Sequence, residues 1–428
     1  MNRSFLPNHY DLVAGTVALG ILLPVFFQIR GGIFRDPSTV LSSGGLISAV
    51  PIPLSVAVCF LGIALIGGCR NTWPALPVVC TSIGLMILSS IIMIGDAWWT
   101  PKRFLIMVQF MIPMLALVLG QLYEKIDLKG RVLPRVFFGV LCVIVPVQLF
   151  CSWLQNHPQL SPYLYVFSIY QHLQYVPVVL SGASLIALFA LGRDMKLRKW
   201  MFLFLPVMTL YVVASNAIVA MVLFGLGTVS YALLYGHLKK GAFIKVGAVG
   251  VVAMFLVLGY LHHYWDTSLM QLKFQVTQNN GEGRVTMPGL QNRLPYWKFY
   301  GIAWTKDTRS FLMGTAQVPD RNRYSSAHNY YLDFLYYFGL IAFVPLLVLF
   351  GGTVYGVCRE RRKIRALPEL SGIAIVVLFL LVIDNMLKVG LRQPYPGIFT
   401  FFLWGILLSK LWGFSRERAL SKDEGKSC

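Results

Sequence analysis

The chain has 428 residues, of which 57% are hydrophobic and only 13% are charged. Soluble globular domains carry about 25% charged residues, so the composition excludes a soluble enzyme and predicts a protein that crosses a membrane many times. The net charge of +20 raises the question of nucleic acid, which the placement of the cations along the chain answers.

Apolar runs of spanning length recur from one end of the chain to the other. The first run, at residues 12–27, is followed by no small-residue cleavage site, so we expect it to remain as a span. Single spans are predicted at residues 12–29, 46–68, 77–95, 104–122, 136–153, 176–192, 246–261, 338–357, 371–387 and 397–412. Residues 201–236 are long enough for a helical hairpin with Ser215 and Asn216 at its outer apex. The sequence therefore predicts an all-α polytopic membrane protein with about 12 transmembrane helices in one integral domain, residues 1–428.

The positive charges mark the cytoplasmic side of this topology. Of the 37 Lys and Arg, 23 fall in an alternating set of short segments, and the intervening short loops hold six. Cytoplasmic loops are rich in Lys and Arg, which face anionic lipids, so both termini are predicted to be cytoplasmic. This placement accounts for the charge without nucleic acid, which we exclude as a partner. Residues 262–337 then form one large extracytoplasmic loop.

Within that loop, residues 291–304 have the pattern of an amphipathic helix. One face of this helix carries a cation followed by an aromatic stripe: Arg293, Tyr296, Trp297, Tyr300 and Trp304. Such a helix can lie at the lipid headgroups, with Arg293 on a lipid phosphate. Alternatively, Arg293 pairs with a lipid-linked pyrophosphate, because its planar fork matches phosphate oxygens.

Residues 321–333 lead from the loop into the next span. We expect Ser325 or Ser326 to cap that helix, which places His328 in its first turn. A neutral imidazole at the membrane surface can accept a hydroxyl proton, although a structural role for His328 is the alternative. Asn329 and Asp333 share a helical face by their i, i+4 spacing, but that face does not carry His328.

The order of these motifs resembles the bacterial O-antigen ligase and O-antigen polymerase superfamily. The resemblance covers about residues 175–412 and is strongest over 290–345. It consists of a Ser215-Asn216 apex, Arg293-x-x-x-Trp297, Phe311-Leu-Met-Gly314, His328-Asn329-x-x-Leu332 and Gly339-Leu340 at the start of a span.

The resemblance implies a membrane glycosyltransferase with an all-helical body in the bacterial inner membrane and an active site facing the periplasm. Such enzymes take a glycan from undecaprenyl pyrophosphate and use no metal and no cofactor. The resemblance assigns the donor pyrophosphate to Arg293 and the acceptor hydroxyl to His328, with inversion at the anomeric carbon. Asn216, Trp297, Asn329 and Asp333 are then expected to support the site.

One departure from the family pattern concerns the hairpin apex. Ligases of this family carry Ser-Arg there, whereas this chain has Ser215-Asn216. We expect another arginine to supply the missing cation, and Arg284 and Arg392 are the candidates. Asp384 and Lys388, one helical turn apart near Arg392, are expected to form an ion pair.

Two forms of the enzyme follow from the resemblance. The ligase form transfers the glycan to lipid A–core, and we favour it because only one large outer loop is evident. The polymerase form joins the glycan to another lipid-linked repeat unit. A transporter of the lipid-linked glycan is a more distant alternative, since the two halves show no repeat and the spans hold few charges. A structural scaffold is the third alternative.

Overall fold

The computed structural model describes residues 9–23, 26–27, 52–53, 73–95, 100–127, 130–154, 175–215, 217–235, 255, 259, 276–279, 282–285, 293–317, 319 and 326–424. Its helices are α1 (His9–Leu22), α2 (Ala75–Ile94), α3 (Pro101–Glu124), α4 (Val132–Leu154), α5 (Val176–Leu191), α6 (Arg198–Ala214), α7 (Ile218–Tyr235), α8 (Leu294–Trp304), α9 (Thr308–Met313), α10 (Tyr330–Arg359), α11 (Arg361–Ala366), α12 (Pro368–Phe379) and α13 (Pro394–Glu424). A π-turn (Leu380–Asp384), a short turn (Asn385–Leu387) and a 3₁₀ turn (Gly390–Arg392) connect α12 to α13.

Seven helices in this part of the chain are long and apolar enough to cross a membrane. They are Ala75–Ile94, Ile106–Ile126, Val132–Cys151, Ile218–Tyr235, Tyr330–Arg359, Pro368–Leu387 and Tyr395–Arg418. The prediction of an α-helical polytopic membrane protein is therefore confirmed. The predicted hairpin at 201–236 contains α6 and α7, while α1, α5 and α6 are shorter than a full span.

Two of the predicted spans differ from the structure. Phe26–Phe27 and Ile52–Pro53 form short antiparallel strands β1 and β2, which pair with each other. The predicted helices at 12–29 and 46–68 therefore cannot include these residues. Pro24, Pro51 and Pro53 explain the error, since proline and the residue before it disfavour a helix interior. The rest of 46–68, and 246–261 apart from residues 255 and 259, lie outside the described residues.

The chain divides into two compact units. One consists of residues 1–133 and 299–428, and the other of residues 134–298. In the first unit α3 packs along α13, where the Tyr123 and Phe402 rings meet edge to face at 5.1 Å. In the second unit α5 is buried on all sides, and Phe189 contacts Tyr231 of α7 at 5.3 Å. The second unit also contains strands β3 (Val276–Asn279) and β4 (Glu282–Val285), which pair as an antiparallel hairpin.

Candidate functional site

The chain turns sharply immediately before α10, and this turn differs from the predicted one. The helix begins at Tyr330, and its cap is Asn329, whose Oδ1 accepts the Leu332 N–H at 3.1 Å. Our expectation that Ser325 or Ser326 caps the helix was wrong. Ser326 Oγ instead accepts the His328 N–H at 3.2 Å, because the chain reverses direction at His328. The imidazole therefore precedes the helix and does not lie in its first turn.

His328 has an unusual backbone conformation. Its φ of +50° is the only positive φ of a non-glycine residue in the described part of the chain. Left-handed backbone is uncommon outside glycine, although His adopts it more readily than most residues. Such residues persist only where the surroundings hold them, and they cluster at functional sites. The side chain is partly exposed, so the imidazole lies at a surface of its unit.

Asp333 holds the backbone at Ala327, the residue before His328. Its side chain is fully buried, and its Oδ1 accepts the Ala327 N–H at 2.7 Å. Its Oδ2 pairs with Arg392 Nη1 at 2.7 Å. The two carboxylate oxygens are thus engaged by Ala327 and Arg392. Asp333 therefore fixes the backbone of the residue before His328.

Arg392 is buried at the centre of this cluster. Only 4% of it is exposed, and its Nε and Nη2 both donate to Gln109 Oε1, at 3.0 and 2.8 Å. The guanidinium also lies 5.4 Å from the Phe110 ring centroid. Burial alone lowers the pKa of Arg392, but the adjacent Asp333 carboxylate outweighs it and raises the pKa above its usual value. The structure thus places Arg392, a predicted pyrophosphate ligand, in an internal ion pair.

A second buried ion pair lies at the end of the α12 span, where the backbone contacts the start of α10. Lys388 Nζ lies 3.4 Å from Asp384 Oδ1, which confirms the predicted pair. The Lys388 carbonyl accepts the Tyr330 N–H at 3.1 Å. Asp384 closes the π-turn, and such turns are frequent at functional sites. The first residue of α10 is consequently tied to a second span.

The loop motif ending in Gly314 docks against a break in α10 at Gly339. Both glycines have positive φ, of +83° and +73°. A Cβ on Gly339 would lie 2.3 Å from the Leu312 carbonyl oxygen, and one on Gly314 would lie 2.6 Å from the Phe338 nitrogen. Only residues without a side chain allow the two backbones to meet so closely. The two glycine-containing motifs of the sequence therefore form a single contact.

Thr315 and Arg103 satisfy the carbonyl groups that this break exposes. Thr315 N–H and Oγ1 donate to the Tyr336 carbonyl at 2.7 and 3.1 Å. An Arg103 Nη2 group donates to the Tyr337 carbonyl. Helix ends leave carbonyls without intrahelical partners, so these contacts make the segment from Tyr330 to Phe338 a short helix with two satisfied ends.

The predicted amphipathic helix is present as α8, and the C-terminal half of its aromatic stripe packs against protein. Tyr300 is fully buried, with its ring 4.7 Å from that of Tyr336. Burial and the nearby Asp333 raise the pKa of Tyr300 above its usual value. Trp304 stacks on Phe311 at 4.9 Å, and its Nε1 donates to the Phe311 carbonyl at 3.0 Å. These two residues therefore do not act as anchors at the lipid headgroups.

The remaining predicted site residues lie in the other unit. Arg293 occupies the turn before α8, and its carbonyl accepts the Trp297 N–H at 2.9 Å. Trp297 is half-buried. Arg284 lies in β4 opposite Thr277 of β3. Asn216 is outside the described residues.

Sequence reasoning missed Gln109 and Arg103. Gln109 is a polar residue inside a predicted span, which was a usable signal, because polar side chains in spans face protein and make specific contacts. Arg103 was counted only as a charge of a short outer loop. In the structure it is 1% exposed and contacts α10.

An apolar crevice of about 240 Å³ opens beside the first turn of α10. Its lining comes from α10, the π-turn region and α13, and includes Tyr330, Phe343, Met386 and Trp404. The Tyr331 hydroxyl, in the same wall, donates to the Leu381 carbonyl within the π-turn. A lining of this kind favours a hydrocarbon chain over a polar ligand.

No group of three or more His, Cys, Asp or Glu is placed to hold a metal ion among the residues that the structure describes. The prediction that the reaction needs no metal stays a prediction. No protein-family model matches the chain, and no curated protein matches it at a significant level.

Proposed function

We propose that this protein is a membrane glycosyltransferase that transfers a glycan from undecaprenyl pyrophosphate to lipid A–core at the periplasmic face of the bacterial inner membrane. The observation that carries the proposal is the backbone of His328. It is the residue that the resemblance to O-antigen ligases assigns to the acceptor, and it has a left-handed conformation held by hydrogen bonds on both sides. Strain of this kind is retained where it positions a reacting group.

In the proposed reaction His328 is the general base. Its imidazole accepts the proton of the acceptor hydroxyl while that oxygen attacks the anomeric carbon from the side opposite the donor phosphate. The anomeric C–O bond breaks, and its electron pair leaves with undecaprenyl pyrophosphate. Arg293 stabilises the charge that builds on the departing pyrophosphate. Attack from the opposite side inverts the anomeric configuration.

The proposal includes the finer topology. We infer about 12 spans, with both termini in the cytoplasm and residues 262–337 in the periplasm. The apolar crevice next to Tyr330 supports a lipid-linked donor, since part of a polyprenyl chain could enter it from the bilayer. Arg392 and Lys388 are buried together with the carboxylates of Asp333 and Asp384, and this pairing fits a fixed site better than an ion pathway.

The surface lipopolysaccharide of a deletion strain tests the proposal. Unmodified core together with polymer accumulated on the polyprenyl carrier is the result expected of a ligase. Core bearing a single repeat unit would instead identify a polymerase. Normal lipopolysaccharide, with no lipid-linked intermediate accumulating, would refute both.

Two substitutions of His328 separate proton transfer from positioning. His328→Ala should lower the transfer rate about 10²–10⁴-fold, the usual contribution of a general base, with protein level near normal. His328→Gln keeps a hydrogen-bonding side chain but removes the base, so it should be about as slow as the Ala variant. Lys306→Ala, an exposed change in the same loop, is the control and should leave the rate unchanged. A fully active Gln variant would make His328 a positioning residue.

A further inference from the structure

Arg103 is a buried cation with unused hydrogen-bonding capacity. It lies in the first turn of α3, and only 1% of it is exposed. Its Nη2 donates to the Tyr337 carbonyl, while its Nε and Nη1 have no hydrogen-bond partner among the described residues. An unsatisfied buried donor costs about 1–3 kcal/mol, and more when the group is charged. Among the described residues, nothing satisfies these two groups.

Arg103 also lacks the carboxylate that the neighbouring cations have. Arg392 pairs with Asp333, and Lys388 pairs with Asp384. None of the ion pairs in the described part of the chain includes Arg103. The Arg103 and Arg392 guanidiniums lie 5.3 and 5.9 Å from the centroid of the same ring, that of Tyr337. Among the described residues, this cluster thus carries one positive charge in excess, close to the segment that begins at His328.

Burial does not remove this charge at neutral pH. Burial lowers the pKa of Arg103 to about 10, and the nearby Tyr337 and Tyr336 oppose that decrease. The guanidinium therefore remains protonated at pH 7. A buried charge without a partner is unfavourable, and binding an anion would remove that cost.

The start of α3 adds a second, independent reason to expect an anion. Its first turn contains Lys102 and Arg103 but no acidic residue, and Thr100 makes no side-chain capping hydrogen bond. Cations are unfavourable at the positive end of a helix, and phosphate groups bind there through free backbone N–H groups. This arrangement lowers stability in the free protein and favours a bound anion.

Capping of the broken helix explains only part of the arrangement. The Tyr337 carbonyl needs one donor, which a neutral side chain could provide. A guanidinium offers five N–H groups in a rigid fork that matches phosphate oxygens. The remaining donors and the charge are unexplained by capping.

We propose that Arg103 and the first turn of α3 bind a phosphate-bearing anion, which under the proposed function is the diphosphate of the lipid-linked donor. The inference rests on that function for the identity of the anion. Arg103 then binds the donor diphosphate. Arg392 does not fill this role, because its charge is neutralised by Asp333.

Binding of farnesyl diphosphate, a short polyprenyl diphosphate, to the full chain tests this site. The protein is reconstituted in phosphatidylcholine nanodiscs and titrated by equilibrium dialysis. Arg103→Gln keeps one donor for the Tyr337 carbonyl and removes the charge, so its affinity should fall at least about tenfold. Arg309→Gln is the matched control. Arg309 Nη2 also donates to a helix carbonyl, that of Ile92 at 2.5 Å, but the side chain is exposed, so its affinity should equal that of wild type.

Equal affinity of the Arg103→Gln and wild-type proteins would overturn the proposal and leave Arg103 as a helix cap. If the Gln variant does not accumulate in the membrane, Arg103→Lys carries the test. This variant keeps the positive charge but loses the planar guanidinium, and its affinity for farnesyl diphosphate should fall about threefold. Unchanged affinity would again overturn the proposal. Replacing part of the phosphatidylcholine with phosphatidylglycerol distinguishes the two sources of phosphate. Arg103-dependent binding of phosphatidylglycerol without binding of farnesyl diphosphate would refute the assignment to the donor.

The outcome is separable from that of the proposed function. Arg103-dependent diphosphate binding in a protein that transfers no glycan would refute the function and leave the site standing. Glycan transfer at the wild-type rate and with unchanged donor KM in Arg103→Gln would refute the site and leave the function standing.

Discussion

The ion pair between Asp333 and Arg392 allows a prediction whose magnitude follows from the structure. Asp333 is fully buried and Arg392 is 4% exposed, with 2.7 Å between Oδ2 and Nη1. Asp333→Asn keeps an oxygen that can accept the Ala327 N–H, but it leaves the guanidinium buried without a counter-charge. We therefore expect the free energy of unfolding to fall by about 3–5 kcal/mol.

The same geometry predicts that removing both charges is far less damaging. At 2.7 Å and an effective dielectric constant of about 20, the two charges attract each other by about 6 kcal/mol. Taking both ions out of water costs several kcal/mol per ion, so the pair contributes little net stability. The double variant Asp333→Asn/Arg392→Gln should therefore recover most of the stability that the single variant loses, with a coupling energy of at least about 2 kcal/mol.

Unfolding of the purified protein by SDS titration, followed by circular dichroism, measures these free energies in a double-mutant cycle. Asp307→Asn is the control, because this exposed residue caps α9 through Ser310 N–H and Asn caps helices equally well. Little change in its midpoint is expected. A loss below about 1 kcal/mol in Asp333→Asn, or a double variant as unstable as the sum of the single ones, would refute the reasoning.

Three further predictions concern packing, chemistry and topology. Gly339→Ala places a Cβ 2.3 Å from the Leu312 carbonyl oxygen at a φ of +73°, so the free energy of unfolding should fall by about 2–5 kcal/mol. An SDS unfolding midpoint equal to that of wild type would show that the break can relax. Arg293→Lys should lose most of the transferase activity, because a point charge does not replace bidentate pairing, and a fully active Lys variant would make Arg293 a lipid anchor. Reporter fusions at Arg362 should indicate the cytoplasm, and fusions at Gln278 should indicate the outer side of the membrane. A cytoplasmic signal at Gln278 would place His328 on the side opposite to the proposed reaction.

The sequence predicts well those features that depend on neighbouring residues. The length of the apolar runs located α2, α3 and α4 to within a few residues, and the i, i+4 spacing identified the pair of Asp384 and Lys388. The stripe at residues 291–304 predicted α8, although the helix begins at Leu294, because Arg293 lies in a turn.

The features that were missed depend on backbone reversal or on distant partners. The left-handed His328 moved the helix cap from a serine to Asn329, and no local preference distinguishes these caps. The partners Asp333 and Arg392 are 59 positions apart in the chain, and periodicity defines only the face on which each lies. Arg103 shows the same limit, since only its contact with α10 distinguishes it from a loop cation.

The meeting of Gly314 and Gly339 has a consequence for the order of events during membrane insertion. As an unbroken helix, the 30 residues of α10 would extend about 45 Å, which exceeds the hydrocarbon thickness of about 30 Å. The segment carrying Gly314 is synthesised before Gly339, so the contact between them can form only after the later segment has been made. Docking of the earlier segment can then break the helix and divide it into a short first helix and a membrane span. The turn at His328 is likewise completed only after Arg392 has been synthesised, because Arg392 is the ion-pair partner of Asp333, which holds that turn.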